Sequence, residues 1–319
     1  MKTTQDKVER DKIILNAYRK RVKIIKVNAN QQFEAILEVK TIQIQHYIGA
    51  YVFPIVKMIS KPGGKPVPQG VLGTGFLIGN EGYFLTANHV LSEATLNELT
   101  ENEKIFAFLT NDDVINTNWE PQPISSGNVE NAPFNYDLSI GKINHNPKLF
   151  FALGDESNSF GWDNIKSIGY PVAQQFSDQE DKLGNKLFKF APLFLKGYIA
   201  RKTDKGENIE TLKNCPPGYV LSYPLLKGMS GAPIVKDEGK GIIPGAKITG
   251  VCLASFGSKA ELYEIINYKE KNGDKEKQII ETANRVVEYG FGIDLYSMKD
   301  WKVRIAQNRS LEEIFTGIK

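Results

Sequence analysis

The sequence predicts an all-β fold with too many strands for one small sheet, and two features predict it. From Ala50 onward, short apolar runs rich in Val, Ile, Phe and Tyr alternate with clusters of Gly, Pro and Asn, the signature of strands joined by turns. Such runs recur as far as Leu295, at spacings that suit a sandwich or a barrel. With 41% hydrophobic and 24% charged residues, the 319-residue chain is ordinary for a globular protein, which excludes a fibre or a wholly disordered chain.

Residues 1–27 carry nine Lys/Arg and three acids, and Ile14, Tyr18, Val22 and Ile25 recur at helical spacing. A basic amphipathic helix is expected there, packed on the body with solvated lysines rather than contacting a membrane or nucleic acid, and available to a regulatory protein partner. Residues 31–46 fit helix and strand equally. Strand-like runs follow in AYVFPIVKMIS and VLGTGFLIGNEGYFLTANHVL. Within the second, Asn80-Glu81-Gly82 marks a tight hairpin turn, with Gly82 free to take a positive φ. IFAFLT, DLSIGKI, NIKSIGYP, FLKGYIA, GYVLSYP, APIV and ITGVCLASFG continue the pattern. The stretch YKEKNGDKEK (268–277) reads as a charged surface excursion, RVVEYGFGIDL closes the β region, and a helix is predicted from Tyr296 to about Gln307.

Several classes are disfavoured at this level. A net charge of +3 from 40 basic and 37 acidic residues gives no reason to expect nucleic acid. Residues 1–27 lack the apolar run of a signal peptide, and no stretch reaches the roughly 18 apolar residues of a membrane span. The two cysteines, Cys215 and Cys252, make no disulfide framework, so a reduced, cytoplasmic protein is expected. There is no HExxH and no paired CxxC, and Asp112-Asp113 and Asp178–Asp181 lack the spacing of a calcium loop. No metal and no cofactor is expected.

Of the three histidines, His46 and His145 read as packing or surface residues. His89 stands where an apolar strand, FLTANHV, runs into small polar residues. Ser230 sits between glycines in GMSGAPIV, directly before another apolar strand, and Gly228 and Gly231 permit a tight loop whose backbone N–H groups converge on one point. A serine hydroxyl needs a positioned base, and a histidine base needs a carboxylate to fix its tautomer. Asp137, at the head of the strand-like DLSIGKI, can supply that carboxylate, its side chain buried beside the ring.

These residues resemble the trypsin-like (chymotrypsin-fold) serine peptidases, and most closely their bacterial HtrA/Deg-type branch. His89, Asp137 and Ser230 follow in the family's order. GTGFLIGNEGYFLTANHV resembles the hairpin that ends in the histidine, DLSIGKI the aspartate strand, and LGDESNSFGWDNIKSIGYP the stretch that opens the second barrel. FLKGYIA, GMSGAPIV, ITGVCLASFG and YGFGIDL resemble the glycine-bearing strand, the nucleophile loop, the substrate-lining strand and the closing strand. The resemblance covers about Tyr51 to Trp301. It implies two antiparallel β-barrels, about 50–150 and 151–296, preceded by a helical extension (1–49) and followed by a C-terminal helix and tail (297–319).

It further implies a Ser-His-Asp triad, an oxyanion hole at Gly228 and Ser230, and hydrolysis of a protein or peptide substrate through an acyl-enzyme. Met229 departs from trypsins, which place there an acid that pairs with a newly cut N-terminus. The 319 residues leave no room for a peptide-binding PDZ domain, so none is expected. Pro224 replaces the acid at the pocket floor of enzymes that cut after Arg or Lys. Cys252, Leu253 and Ala254 would form the pocket wall, with Ser255 and Gly257 at its mouth, which implies cleavage after small or medium apolar residues. The rival reading is a protease-fold binding or effector module whose triad is latent until a partner or ligand binds.

Overall fold

The computed structural model describes residues 48–60, 66–92, 99–110, 119–155, 161–172, 176–180, 186–188, 190–209, 213–238, 245–272 and 275–317. The expected helix over residues 1–27, the ambiguous segment 31–46, His46 and Asp112-Asp113 lie outside them. The described chain is mostly strand.

The first sheet is built from β1 (Val52–Ile59), β2 (Val67–Ile78), β3 (Tyr83–Thr86), β4 (Glu103–Thr110), β5 (Trp119–Ile124), β6 (Val129–Asn131) and β7 (Ser139–Lys142), with a short helix α1 (Asn88–Leu91) after β3. The spatial order is β5-β4-β1-β2-β3-β7-β6, antiparallel throughout. The turn between β2 and β3 is the expected one: Gly82 has φ +79°, and a Cβ there would lie 2.4 Å from the carbonyls of Ile143 and His145. This sheet is a half-barrel, and with the second sheet it gives the two-barrel architecture expected. Its edge strand β5 carries Pro121 and Pro123, and its other edge, β6, is three residues long, so neither offers a continuous ladder to close on.

The second sheet contains β8 (Ala152–Leu153), β9 (Asn164–Gly169), β12 (Leu193–Thr203), β13 (Gly218–Leu221), β14 (Pro233–Lys236), β15 (Lys247–Asn272) and β16 (Lys275–Asp294), with β10 (Phe176–Glu180) and β11 (Lys186–Phe188) paired as a side ribbon. Six of these strands close a barrel, because β14 pairs both with β9 and with β15. Its interior holds Ile165, Ile199, Leu221, Ala232, Ile234 and Cys252, all fully buried. The larger core lies against the first sheet, where Phe151 meets Tyr51 and Phe76 edge-on at centroid distances of 5.1 and 5.7 Å.

The C-terminal tail corrects one expectation. Instead of a helix from Tyr296 to Gln307 there are two single 3-10 turns, Tyr296–Met298 and Arg304–Ala306. Asp294 starts the first by accepting the Tyr296 N–H at 3.0 Å, and Gln307 and Asn308, both at φ +60°, end the second. Strands β17 (Lys302–Val303) and β18 (Arg309–Ser310) then pair, and the helix comes later as α2 (Leu311–Thr316), opened by a capping box between Ser310 and Glu313. The tail packs back on the first sheet. Arg309 makes a two-pronged bond to Glu81 at 3.1 and 2.8 Å, the Ile305 N–H donates to the buried Glu130 at 3.0 Å, and a Cβ on Gly79 would lie 2.3 Å from the Ile314 carbonyl.

The two sheets meet at Thr74, which is completely buried. Its N–H donates to the Ser230 carbonyl at 2.8 Å and its hydroxyl to the Gly228 carbonyl at 2.8 Å. The same hydroxyl accepts the Tyr170 N–H at 2.9 Å, while the Thr74 carbonyl accepts the Thr86 hydroxyl at 2.7 Å. One threonine thus binds the end of β3, the end of β9 and the loop before β14. Thr74→Val keeps the shape and removes the hydroxyl, leaving the Gly228 carbonyl and the Tyr170 N–H unpaired at a cost of roughly 1–3 kcal/mol each. Urea unfolding followed by tryptophan fluorescence should show a loss of about 2–5 kcal/mol for Thr74→Val, and a much smaller one for Thr74→Ser.

Candidate active site

Strand pairing brings His89 and Asp137 together. β3 and β7 are antiparallel, with Thr86 opposite Ser139, so the chain leaving β3 and the chain entering β7 sit side by side. Three residues past Thr86 lies His89, and two before Ser139 lies Asp137. The Asp137 carboxylate makes two bonds to the same residue: Oδ1 accepts the His89 backbone N–H at 2.8 Å, and Oδ2 lies 2.7 Å from the ring Nδ1. The first also serves α1. Its N-cap residue, Ala87, has no side-chain acceptor, and Asp137 takes that place from across the sheet. One carboxylate therefore orients both the helix turn and the ring. The Asp137 side chain is not buried, as its position in the sequence suggested, but 37% exposed, and that of His89 is 49% exposed. The cause is local: β7 begins at Ser139, so Asp137 sits in the bend before it, at the rim of the sheet.

Ser230 lies on the loop between Gly228 and Gly231, whose φ values are +98° and +87°. Neither position accepts a side chain. A Cβ on Gly228 would lie 2.5 Å from the Tyr170 carbonyl, and one on Gly231 would lie 2.1 Å from the Thr74 carbonyl and 2.3 Å from the Thr86 hydroxyl. The Gly231 contact also reaches the Ala87 N at 3.0 Å, two residues before His89, so the Ser230 loop abuts the histidine turn. Met229 is completely buried and anchors the loop by donating its N–H to Leu226 and accepting from Ala232. The N–H groups of Gly228 and Ser230 have no acceptor among the described residues. The Ser230 hydroxyl donates to the Leu253 carbonyl at 3.2 Å.

Beside the loop, the expected pocket residues divide. Leu253 is buried next to Ser230, Ala254 and Pro224 are half-buried, and Ser255 and Gly257 are exposed. Cys252 is sealed inside the barrel, its thiol 3.4 Å from the Ser167 hydroxyl, which lies 2.6 Å from the Tyr223 hydroxyl. Burial pushes that thiol up to about 12, so it stays protonated and unreactive. Ser255 makes a contact the sequence did not announce: its hydroxyl accepts the Leu225 N–H at 2.5 Å and donates to the Leu225 carbonyl at 2.9 Å. It joins β15 to the segment before the Ser230 loop. Gly290 lies beneath the same segment, where a Cβ would meet the Tyr223 carbonyl at 2.7 Å and the Leu225 side chain at 3.1 Å. Gly290 stood in the sequence as half of Gly-Phe-Gly, and its spacing carried no hint of that neighbour.

The remaining described histidine and two other acids, Asp155 and Asp163, have different surroundings. His145 is half-buried, and its Nε2 has no hydrogen-bond partner among the described residues. Asp155 pairs with Lys247, and Asp163 pairs with Lys236 at 3.2 Å. Among the described residues no helix is long and apolar enough to cross a membrane.

Comparison with known proteins bears on this arrangement. No curated protein matches the chain. Among solved structures it is similar to an HtrA-type protease, AlgW, with decapeptide (17% identity, TM-score 0.48, 80% of this chain and 63% of that one) and to the same protease with tripeptide (17% identity, TM-score 0.43, 80% and 60%). The chain thus spans less than two thirds of the length of these structures. The trypsin-like peptidase domain matches residues 73–242, more than half of the chain and a stretch that holds His89, Asp137 and Ser230 alike, and the protein belongs to that family.

Proposed function

We propose that this chain is a serine endopeptidase in which His89, Asp137 and Ser230 act as a triad. The observation that supports this most directly is the double contact of Asp137 with His89, on a turn that abuts the glycine-bounded loop carrying Ser230. In the reaction so read, Ser230 Oγ attacks the scissile carbonyl carbon while its proton passes to His89 Nε2. Asp137 holds the Nδ1–H and stabilises the imidazolium. The oxyanion lies against the free N–H groups of Gly228 and Ser230, each worth on the order of 3–4 kcal/mol in related hydrolases. His89 then gives the proton to the leaving amine, and water cleaves the acyl-enzyme by the same steps in reverse. Two free, buried cysteines fit a reducing compartment, and we place the enzyme in the cytoplasm.

A second reading has its own observations. In this structure the Ser230 hydroxyl is turned to Leu253 rather than to His89, and Ser255 bonds to the Leu225 backbone, where the specificity pocket is expected. The first contact must yield before His89 takes the Ser230 proton and the second before a large side chain enters, which favours a peptidase held at rest until a peptide or a partner, docked on the N-terminal segment, opens it.

A fluorophosphonate probe should label Ser230 and leave Ser230→Ala unlabelled. Asp137→Asn should lose peptidase turnover approaching 10⁴-fold while remaining folded, since the ring would be held in the wrong tautomer. Labelling that appears only when a peptide is added indicates the resting form. Unchanged turnover of Ser230→Ala refutes the triad.

The pocket flanks offered by Leu225, Leu253, Ala254 and Gly290 carry no charge, so a buried Arg or Lys side chain would lose its hydration without a partner, at several kcal/mol. Cleavage of a mixed peptide library should fall after Val, Ala or Leu. Ser255→Gly, which removes the strap across the mouth, should raise kcat/KM several-fold for larger residues such as Phe relative to Ala. Cuts confined to Arg or Lys refute this pocket.

A further inference from the structure

Strands β15 and β16 leave the second barrel as a two-stranded ribbon, paired from Gly250↔Asp294 to Asn272↔Lys275. β13 covers the far edge of β16 only at Gly290–Ile293, and from Tyr289 back to Lys275 no strand lies on that edge among the described residues. The register shifts at Cys252/Ala254, Glu261/Tyr263 and Ile266/Tyr268 each leave the extra residue on β15. β16 is therefore unbroken, and its backbone groups keep a two-residue alternation along its whole length. The Asp294 N–H donates to Pro217, on the β13 side, and the Leu295 N–H donates to Thr249 on β15. Counted back from Asp294, the even-numbered residues turn their N–H and C=O groups to the uncovered edge. No proline falls between Lys275 and Tyr289 to interrupt it. A two-stranded ribbon is marginal alone in water, and a regular edge of this length is a template for another strand.

Independently of the peptidase reading, we propose that this edge is the seam of a homodimer, in which the β16 strands of two copies pair antiparallel about a two-fold axis at Ala283. Outward backbone groups must meet outward ones, so only registers that set an even-numbered position opposite another even one form a ladder. Among these, the register centred on Ala283 sets Ile279 opposite Val287, Ile280 opposite Val286 and Glu281 opposite Arg285, each twice by symmetry. A slip of two residues one way sets Ile279 opposite Arg285 and Glu276 opposite Glu288. A slip the other way sets Ile280 opposite Glu288 and Glu281 opposite Val287. The register centred on Ala283 also uses the whole free edge. Lys277 falls opposite Tyr289, the last position before β13 takes over at Gly290, so the tip of each ribbon ends where the barrel of the other begins. The even-numbered positions from Gln278 to Glu288 then exchange about a dozen backbone hydrogen bonds. The free edge of β15 offers no equivalent, because its bulges break the alternation. The occupant is a second copy because the edge, read in this register, is complementary to itself in both apolar and charged residues.

The test uses the full-length chain carrying Ser230→Ala, so that no self-cleavage intervenes. Light scattering over the micromolar range should give the mass of two chains. Glu281→Arg and Arg285→Glu each turn two attractive pairs into two repulsive ones and should weaken the dimer about tenfold or more, and the two together should restore it. Ala283 pairs with its own copy at a position without backbone bonds, where Cα atoms lie about 4.5 Å apart, within disulfide reach. Ala283→Cys should therefore link the chains on a non-reducing gel after mild oxidation. Thr282→Cys should not, since its own copy stands two residues away on the diagonal, about 7–8 Å off. The native Cys215 and Cys252 are buried and leave this readout clear. A mass of one chain or of three overturns the proposal. So does a dimer indifferent to the single charge reversals, or one that the double variant fails to restore. Cross-linking at both cysteine positions, or at neither, overturns it as well, and the cysteine pair decides the matter even if a charge variant fails to fold.

Discussion

A single buried hydroxyl holds the halves of this molecule in register. Thr74 lies in the second strand of an open sheet, yet its side chain bonds to Gly228 and accepts from Tyr170, 154 and 96 residues away in sequence. Its backbone N–H meets Ser230, and its carbonyl receives Thr86. Thr74, Thr86, Tyr170 and Gly228 are buried, so the groups they bond with each other cannot exchange partners for solvent without loss. These bonds hold the Ser230 loop against the end of β3, next to the histidine turn.

Around that point, the backbone leaves little freedom. Gly73, one residue earlier, has its would-be Cβ position between the Val90 side chain at 2.4 Å and the Ser230 carbonyl at 2.9 Å. Gly231 has Thr74 and Thr86 equally close. The serine is positioned by the absence of side chains around it, and the histidine by a carboxylate that also completes a helix turn. Neither depends on its own rotamer alone.

Legibility in the sequence divided along physical lines. His89, Asp137, Ser230 and the glycines of the serine loop were readable because their chemistry is local: a glycine that must take positive φ, or a serine between two of them, announces itself within five residues. Thr74 did not, since a threonine inside a strand looks like any other and its partners are distant. The long β15–β16 ribbon was missed because bulges between Glu261 and Tyr263 and between Ile266 and Tyr268 break its two-residue alternation, and its charged tip resembles a loop. The tail misled in the opposite direction. Its apolar spacing suited a helix, but the Asp294 carboxylate and the left-handed Gln307 and Asn308 cut it into turns.

The tail has one further consequence, for biosynthesis. Glu81, Gly79 and Glu130 of the first sheet find their partners in Arg309, Ile314 and Ile305. A ribosome delivers the chain from its N-terminus, and a domain ordinarily condenses as soon as its own residues emerge. Here the half that carries His89 and Asp137 stays unfinished until residues 305–314 are free, with the buried Glu130 lacking the Ile305 N–H until then. The first sheet therefore reaches its working arrangement only after residues 305–314 have emerged, well behind its own strands.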